Sequence, residues 1–314
     1  VEKLGGTYVS CTPNVTSYAA ADATLVRTLG SDLEPLNGWI PEDEKKITVP
    51  IQKGAGQLRV VGRVATLAAM SRMEPAINEV WKSLVNEGAM NDASAATAKM
   101  PQLGSYDPSS PPVIFVVSSM AGAAGASMVL DVCRILADLP GANPETTSVF
   151  LASAGVFQSL PEDARRGILP NALAMFGEIV AAQSGAAASH DAALLSKLGL
   201  AGGEQSTVPF ARIFPIGNQV GAQGALFGDG AQQTVYRGLA RALSAMAMSS
   251  TALRSFLSYD VTNSNPLPQD LEIFGWGASA DSLQWGVFGY GSLSMGRERY
   301  LEYAAQRLAR STVD

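Results

Sequence analysis

The stretch PPVIFVVSSMAGAAGASMVLDVCRILAD, Pro111 to Asp138, decides how the rest of the chain is read. Val113 to Val117 is an unbroken run of Val, Ile and Phe, the composition of a strand buried on both faces inside a parallel sheet. Met128, Leu130, Val132, Cys133, Ile135 and Leu136 then recur at helical spacing, and the small residues Ser118 to Ser127 join strand to helix. A turn with so little side-chain bulk lets backbone N–H groups and a helix N-terminus approach a phosphate, which makes it the first candidate site.

The chain has 314 residues, 47% of them hydrophobic, enough for a substantial core in one large domain or two modest ones. Its formal net charge of −6 offers no basic excess for a nucleic acid or an anionic membrane. The apolar runs are short and broken by Gly, Ser or charge, so no membrane span and no secretory signal is expected, and the expected location is cytoplasmic. Cys11 and Cys133 are too few for a cluster site and read as buried thiols. The single histidine, His190, lies in a polar Ala/Ser-rich segment, which gives no support to a zinc site or a Ser-His-Asp triad. Val1 enters almost directly into strand-like sequence with no initiator Met, and an upstream segment is expected.

Outward from the opening stretch, Thr7 to Cys11 reads as a short strand, Tyr18 to Leu29 as a helix, and Gly30 to Lys46 as surface connection. The β-branched run Ile47 to Ile51 leads into Gly54-Ala55-Gly56-Gln57, and Leu58 to Val85 reads as a long helix with Leu67, Met70, Met73, Ile77, Val80, Trp81 and Leu84 on its apolar stripe. Strand, glycine turn and helix thus occur a second time. Asn86 to Ser110 reads as loop.

After the opening unit, Ser148 to Ala152 reads as a strand, and Asn171 to Ala182 as a helix with Leu173, Phe176, Ile179 and Val180 inward. A polar insertion follows at Gly185 to Gly203, then a strand at Phe210 to Ile216 and a glycine-rich loop at Gly217 to Gly230. Gln232 to Met248 reads as a long central helix. Leu271 to Gly275 and Val287 to Leu293 suggest antiparallel strands, and Arg297 to Arg310 a terminal helix burying Tyr300, Leu301, Ala304 and Leu308. The expected fold class is α/β: a doubly wound, Rossmann-like half over residues 1–248, followed by a smaller α+β C-terminal half over 249–314.

Two glycine turns in this order carry a resemblance. Gly54-Ala55-Gly56-Gln57, continuing through Arg59 to Gly62-Arg63, resembles a phosphate-side loop of the tubulin and FtsZ superfamily. Ala121-Gly122-Ala123-Ala124-Gly125-Ala126-Ser127 resembles the Gly-Gly-Thr-Gly-Ser-Gly tubulin signature, and the spacing between the turns is also tubulin-like. The wording of both turns and of the closing WGVFGYGSLSMGRERYLEYAAQRLAR is similar to bacterial, actinobacterial-type tubulin-like proteins more than to FtsZ. The pattern departs at the signature, where Ala124 replaces the threonine, Ala123 the second glycine and Ser127 the last. The superfamily's first glycine-rich loop would precede the strand at Thr7 and is expected in the upstream segment, and Thr12-Pro13-Asn14 stands where relatives often carry an acidic residue.

The resemblance implies a nucleotide-binding half of GTPase type holding GTP or GDP with Mg²⁺ on the two turns. It implies head-to-tail self-assembly into a homo-oligomer or filament, other protein partners, and at most weak GTP hydrolysis. Asn171 resembles a position from which relatives contact the guanine base, and its alternative is a helix cap. No catalytic residue and no metal-ligating side chain is assigned. Asp260, Asn263 and Asn265 are an imperfect echo of the superfamily's catalytic loop, and Arg59 and Arg63 read as phosphate contacts or as solvated or ion-paired groups. The second reading is a non-catalytic tubulin-fold scaffold acting through protein partners. A dinucleotide oxidoreductase ranks below both, because neither turn supplies G-x-G-x-x-G.

Overall fold

Three parallel strands carry the main sheet: β1 (Ile114–Ser119), β2 (Thr147–Ala152) and β3 (Arg212–Ile216), in the order β1-β2-β3. Val116 lies opposite Val149, and Phe150 opposite Phe214. The computed structural model describes residues 6–11, 16–21, 41–100, 104, 106–197, 209–262, 285–286, 288–289 and 297–312. The longer helices among the described residues are α1 (Arg59–Val85), α2 (Glu87–Ala98), α3 (Ala123–Ala137), α4 (Ile168–Gln183), α5 (Ala188–Lys197), α6 (Gln232–Met248), α7 (Ser250–Thr262) and α8 (Arg297–Ser311).

Alternation along β2 divides the core. Val149 and Leu151 point to one face, where α3 contributes Ala126, Val129, Leu130 and Cys133 and α4 contributes Met175, Ile179 and Ala182. Phe150 points to the other, against Phe214 and Ile216 of β3 and Val235, Leu239 and Met246 of α6. That second face is aromatic: Phe150 stacks on Phe214 at 5.0 Å between centroids and meets Phe288 edge-on at 5.0 Å. Helices on both faces of a parallel sheet make this an α/β fold. α1 packs along α3, with Leu67, Met70 and Met73 joining Ile135 and, from α5, Leu194.

Several expectations change. β1 is not buried on both faces. It is one of the two outer strands of the three, and its Val117 is 53% exposed, whereas every residue of β2 is buried. Residues 6–11 form no strand, and Val9 and Cys11 pack as irregular chain against the α1–α3 cluster. The Ile47 to Ile51 run is also not a strand: Pro50, which has no N–H to donate, precedes a 3₁₀ turn at Ile51–Lys53. The supposed loop after Val85 contains α2, because Asn86 caps it by accepting the Ala89 N–H at 2.9 Å and alanine is the best helix former. The polar insertion contains α5, on which His190 falls, and the glycine loop before α6 folds a small hairpin, β4 (Gln219–Val220) with β5 (Ala225–Leu226).

α4 begins three residues earlier than expected; Ile179 and Val180 are buried and Phe176 packs against the core as expected, but Leu173 does not turn inward. With Asn171, Met175 and Ile179 buried, residue 173 lies on the opposite side, and Leu173 is 73% exposed. On α1, Val80 and Leu84 are likewise exposed. α6 matches its expected span, yet it lies against one face of the sheet, with Tyr236 and Met248 exposed. α8 forms as expected, but Tyr300, Leu301, Ala304 and Leu308 are all exposed: no described element covers the stripe. Of Tyr18 to Leu29, Tyr18–Ala21 is helical and the remainder lies outside the described residues, as do residues 30–40 of the expected connection. The expected tail strand at Leu271 to Gly275 and most of the one at Val287 to Leu293 also lie outside them. Trp285 bridges in parallel to Ile213, and Gly286 N–H donates to Ile213 O at 2.8 Å, which adds C-terminal residues to the β3 side of the sheet.

Candidate functional site

The C-terminal ends of parallel strands are where α/β sheets bind ligands, and both glycine turns lie there or beside it. β1 ends at Ser119, and Met120 N–H donates to Ala152 O at 2.9 Å, keeping the start of the turn in register with β2. Ala121 N–H donates to Ser119 Oγ at 3.1 Å. Gly122 is the N-cap of α3, with φ −81° and no side-chain cap, so the amides of Ala123, Ala124 and Gly125 begin the helix without an intrahelical acceptor. Their dipoles give this end of α3 a partial positive charge.

The two glycines kept from the signature do different work. A Cβ at Gly122 meets nothing within 4 Å, so this residue borders open space. A Cβ at Gly125 would lie 2.9 Å from Ser118 Oγ and 3.2 Å from Ser119 O, so glycine there lets α3 sit on the end of β1. Ala121, Ala123, Ala126 and Ser127 are buried, and Ala124 is exposed. Ser127 donates its hydroxyl back to Ala123 O at 2.6 Å, which turns it away from the open side.

The first turn packs against the second. Gly54 and Gly56 face solvent, Ala55 is buried, and Gly56 has φ +56°, a conformation that favours glycine. Gln57 is the connector: its Nε2 donates to Ala164 O, and its Oε1 accepts the Gly167 N–H at the start of α4. α1 then opens so close to α3 that a Cβ on Gly62 would lie 2.6 Å from Ala123 O.

Asn171 joins both turns. It is 5% exposed, and its Nδ2 donates to Gln57 O at 3.2 Å and to Ala121 O at 3.1 Å. It is not a helix cap: Gly167 holds that position, and Asn171 N–H donates to Gly167 O within the helix at 3.0 Å. Residues 54–57, 121–127 and 171, drawn from three separate segments of the sequence, therefore meet at one place.

Both arginines beside the site are engaged by carboxylates. Arg59 makes a two-point pair with Glu178 of α4 and donates to Ala126 O at 2.8 Å. Arg63 lies 3.3 Å from Asp131 Oδ2. An anion at the α3 N-terminus would thus be held by backbone N–H groups. Among the described residues there is no group of three or more His, Cys, Asp or Glu able to hold a metal ion. The Thr12-Pro13-Asn14 segment, Asn263 and Asn265 lie outside those residues, and Asp260 falls within α7, a helix where a loop was expected.

Two residues at this edge were not anticipated. Glu178 sits seven residues after Asn171 on the same side of α4, a spacing that was readable. Asn218, just past β3, is buried, and Gly155 approaches it so closely that a Cβ there would lie 3.3 Å from Asn218 Oδ1. A lone Asn in a glycine loop carried no signal of that contact.

Among the described residues, no helix is long and apolar enough to cross a membrane. A family profile described as tubulin-like matches residues 7–314. No curated protein and no solved structure matches the chain.

Proposed function

This chain belongs to the tubulin-like family, and we propose that it binds a guanine nucleotide, GTP or GDP with Mg²⁺, across its two glycine turns and assembles head to tail. The carrying observation is the convergence of the turns on Asn171 beside an uncapped, solvent-facing α3 N-terminus. Phosphate oxygens accept from the first amides of α3, where the helix dipole favours negative charge. With Ser127, Arg59 and Arg63 all engaged within the protein, the phosphate contacts are those of the backbone. Bound Mg²⁺ would balance phosphate charge, and any slow hydrolysis would draw on a neighbouring subunit. The division into a nucleotide-binding half, 1–248, and a smaller α+β half, 249–314, belongs to this reading.

Assembly is supported by apolar surface beside the turns. Leu58 follows Gln57 directly, and Leu169 and Leu173 share the outer side of α4; all three are exposed. A contact between this face and a different face of the next subunit leaves both ends open, which generates filaments or rings.

The second reading, a scaffold without nucleotide chemistry, is favoured by the two engaged arginines. Calorimetric titration with GTP and GDP in Mg²⁺ separates the two readings. Saturable binding that Gly122→Val abolishes supports the first, because the added side chain occupies the open approach; no heat up to millimolar nucleotide leaves the scaffold. Sedimentation with and without GTP tests assembly, and a monomer in both conditions sinks it.

A further inference from the structure

The two hydrogens of the Asn171 amide nitrogen go to two backbone carbonyls, one from each glycine turn. A peptide unit is planar and trans, so its C=O and N–H point in opposite directions. Drawing the Ala121 carbonyl inward to Asn171 therefore turns the N–H of the same unit, that of Gly122, outward. Gly122 is the residue bordered by open space at the head of α3. The second bond fixes the Gln57 carbonyl, while the Gln57 side chain ties the same residue to Ala164 and Gly167 at the start of α4.

We propose that Asn171 is a positioning residue: it sets the spacing of the two turns and aims the Gly122 N–H at the ligand, instead of presenting its amide nitrogen to a base. This rests on the guanine nucleotide reading for the identity of the ligand, but not for the orientation of the peptide. The residue type follows from the geometry. Aspartate would set an anion against two carbonyl oxygens, leucine would leave both carbonyls buried without a donor, and only a primary amide of this length supplies two donors from one atom.

The test is Asn171→Asp in the full chain, read in two ways. Without nucleotide, the Gly122 amide is followed by NMR chemical shift and hydrogen exchange against the wild type. With GTP and Mg²⁺, affinity is titrated from pH 5 to 8, with thermal midpoints recorded alongside. The expected results are a displaced, faster-exchanging Gly122 amide and an affinity at pH 8 at least ten-fold below wild type. Affinity should recover in part as pH falls, because a protonated carboxyl regains one donor. Folding of this variant would also recover as pH falls, because a buried carboxyl holds its proton more tightly in the folded state, so affinities are compared only where the thermal midpoints show the protein folded. If the aspartate variant fails to fold, Asn171→Ser, whose shorter hydroxyl no longer bridges the two carbonyls, is expected to displace the same amide. An unmoved Gly122 amide in a folded variant overturns the proposal. A displaced amide together with a wild type that binds no nucleotide upholds the positioning role and overturns the guanine reading instead.

Discussion

Asp131 of α3 lies between two guanidinium groups: Arg63 Nε is 3.3 Å from its Oδ2 and Arg134 Nη1 is 2.8 Å from its Oδ1. Arg134 continues to Asp191 of α5 at 2.6 Å. One chain of four charges thus ties α1, α3 and α5 together on the side of α3 away from the sheet, with Asp131 fully buried.

A buried carboxylate flanked by two cations cannot be removed cheaply. Asp131→Ala leaves Arg63 without this partner and Arg134 with Asp191 alone, and breaking a buried pair from one side costs about 3–5 kcal/mol. Urea denaturation should show that loss. Asp191→Ala, whose removal still leaves Arg134 with Asp131, should cost less. Equal losses would mean that the four charges do not act as a connected chain.

The glycines beside the site make an internal contrast. Gly62→Ala drives a Cβ to 2.6 Å from the backbone oxygen of Ala123, so α1 and α3 must separate. The penalty of overpacking, about 1–3 kcal/mol, outweighs the gain in helix propensity, about 1 kcal/mol. Gly122→Ala enters open space at an ordinary φ and should change stability by less than about 0.5 kcal/mol. Chemical denaturation of the two variants checks the order.

Much of this arrangement was legible before the structure. The strands at Ser148 to Ala152 and Phe210 to Ile216, the opening strand and helix, and α6 all announced themselves through apolar runs or helical spacing. The gathering of the two turns was implied by resemblance, since no local pattern links residue 57 to residue 121. What failed is instructive. α4 is apolar nearly all round, so periodicity could not tell Leu173 from Met175, and the polar Asn171 was the inward residue. α8 is sharply amphipathic, yet amphipathicity states only that a stripe wants cover; no described residue provides it. The irregular course of residues 47–51 reflects Pro50 overriding β-branched composition.

Asp138 links stability to pH. It is the C-cap of α3, where the helix dipole disfavours an anion, and burial together with the nearby charge of Glu74 raises its pKa above the ordinary carboxylate value. The folded state therefore holds this proton more tightly than the unfolded chain. Stability falls as pH rises from about 4, the unfolded value, through the raised folded value, and the penalty is complete above it. Asp138→Asn should raise the thermal midpoint at pH 7, and its advantage should vanish below about pH 4. An advantage that persists undiminished at acid pH would show that the charge of Asp138 is not its source.

Cys133 and Cys11 should report two different depths of opening. Burial pushes the Cys133 thiol up to about 12, and its side chain lies within the α3 face of the sheet among Val129, Leu130 and Ile179. Reaction requires the thiolate, so at pH 8 Cys133 is protected both by access and by protonation. Cys11 is only half buried. Its thiol, also raised by burial, donates to Met73 Sδ at 3.4 Å from irregular chain that no strand anchors. Local displacement of residues 6–11 exposes it without unfolding the sheet. With a thiol reagent in excess, Cys11 should label first, at a rate insensitive to low urea, and Cys133 only with global unfolding. Mass spectrometry of the labelled peptides resolves the order, and Cys133 reacting as fast as Cys11 under native conditions would contradict the packing of α3 against the sheet.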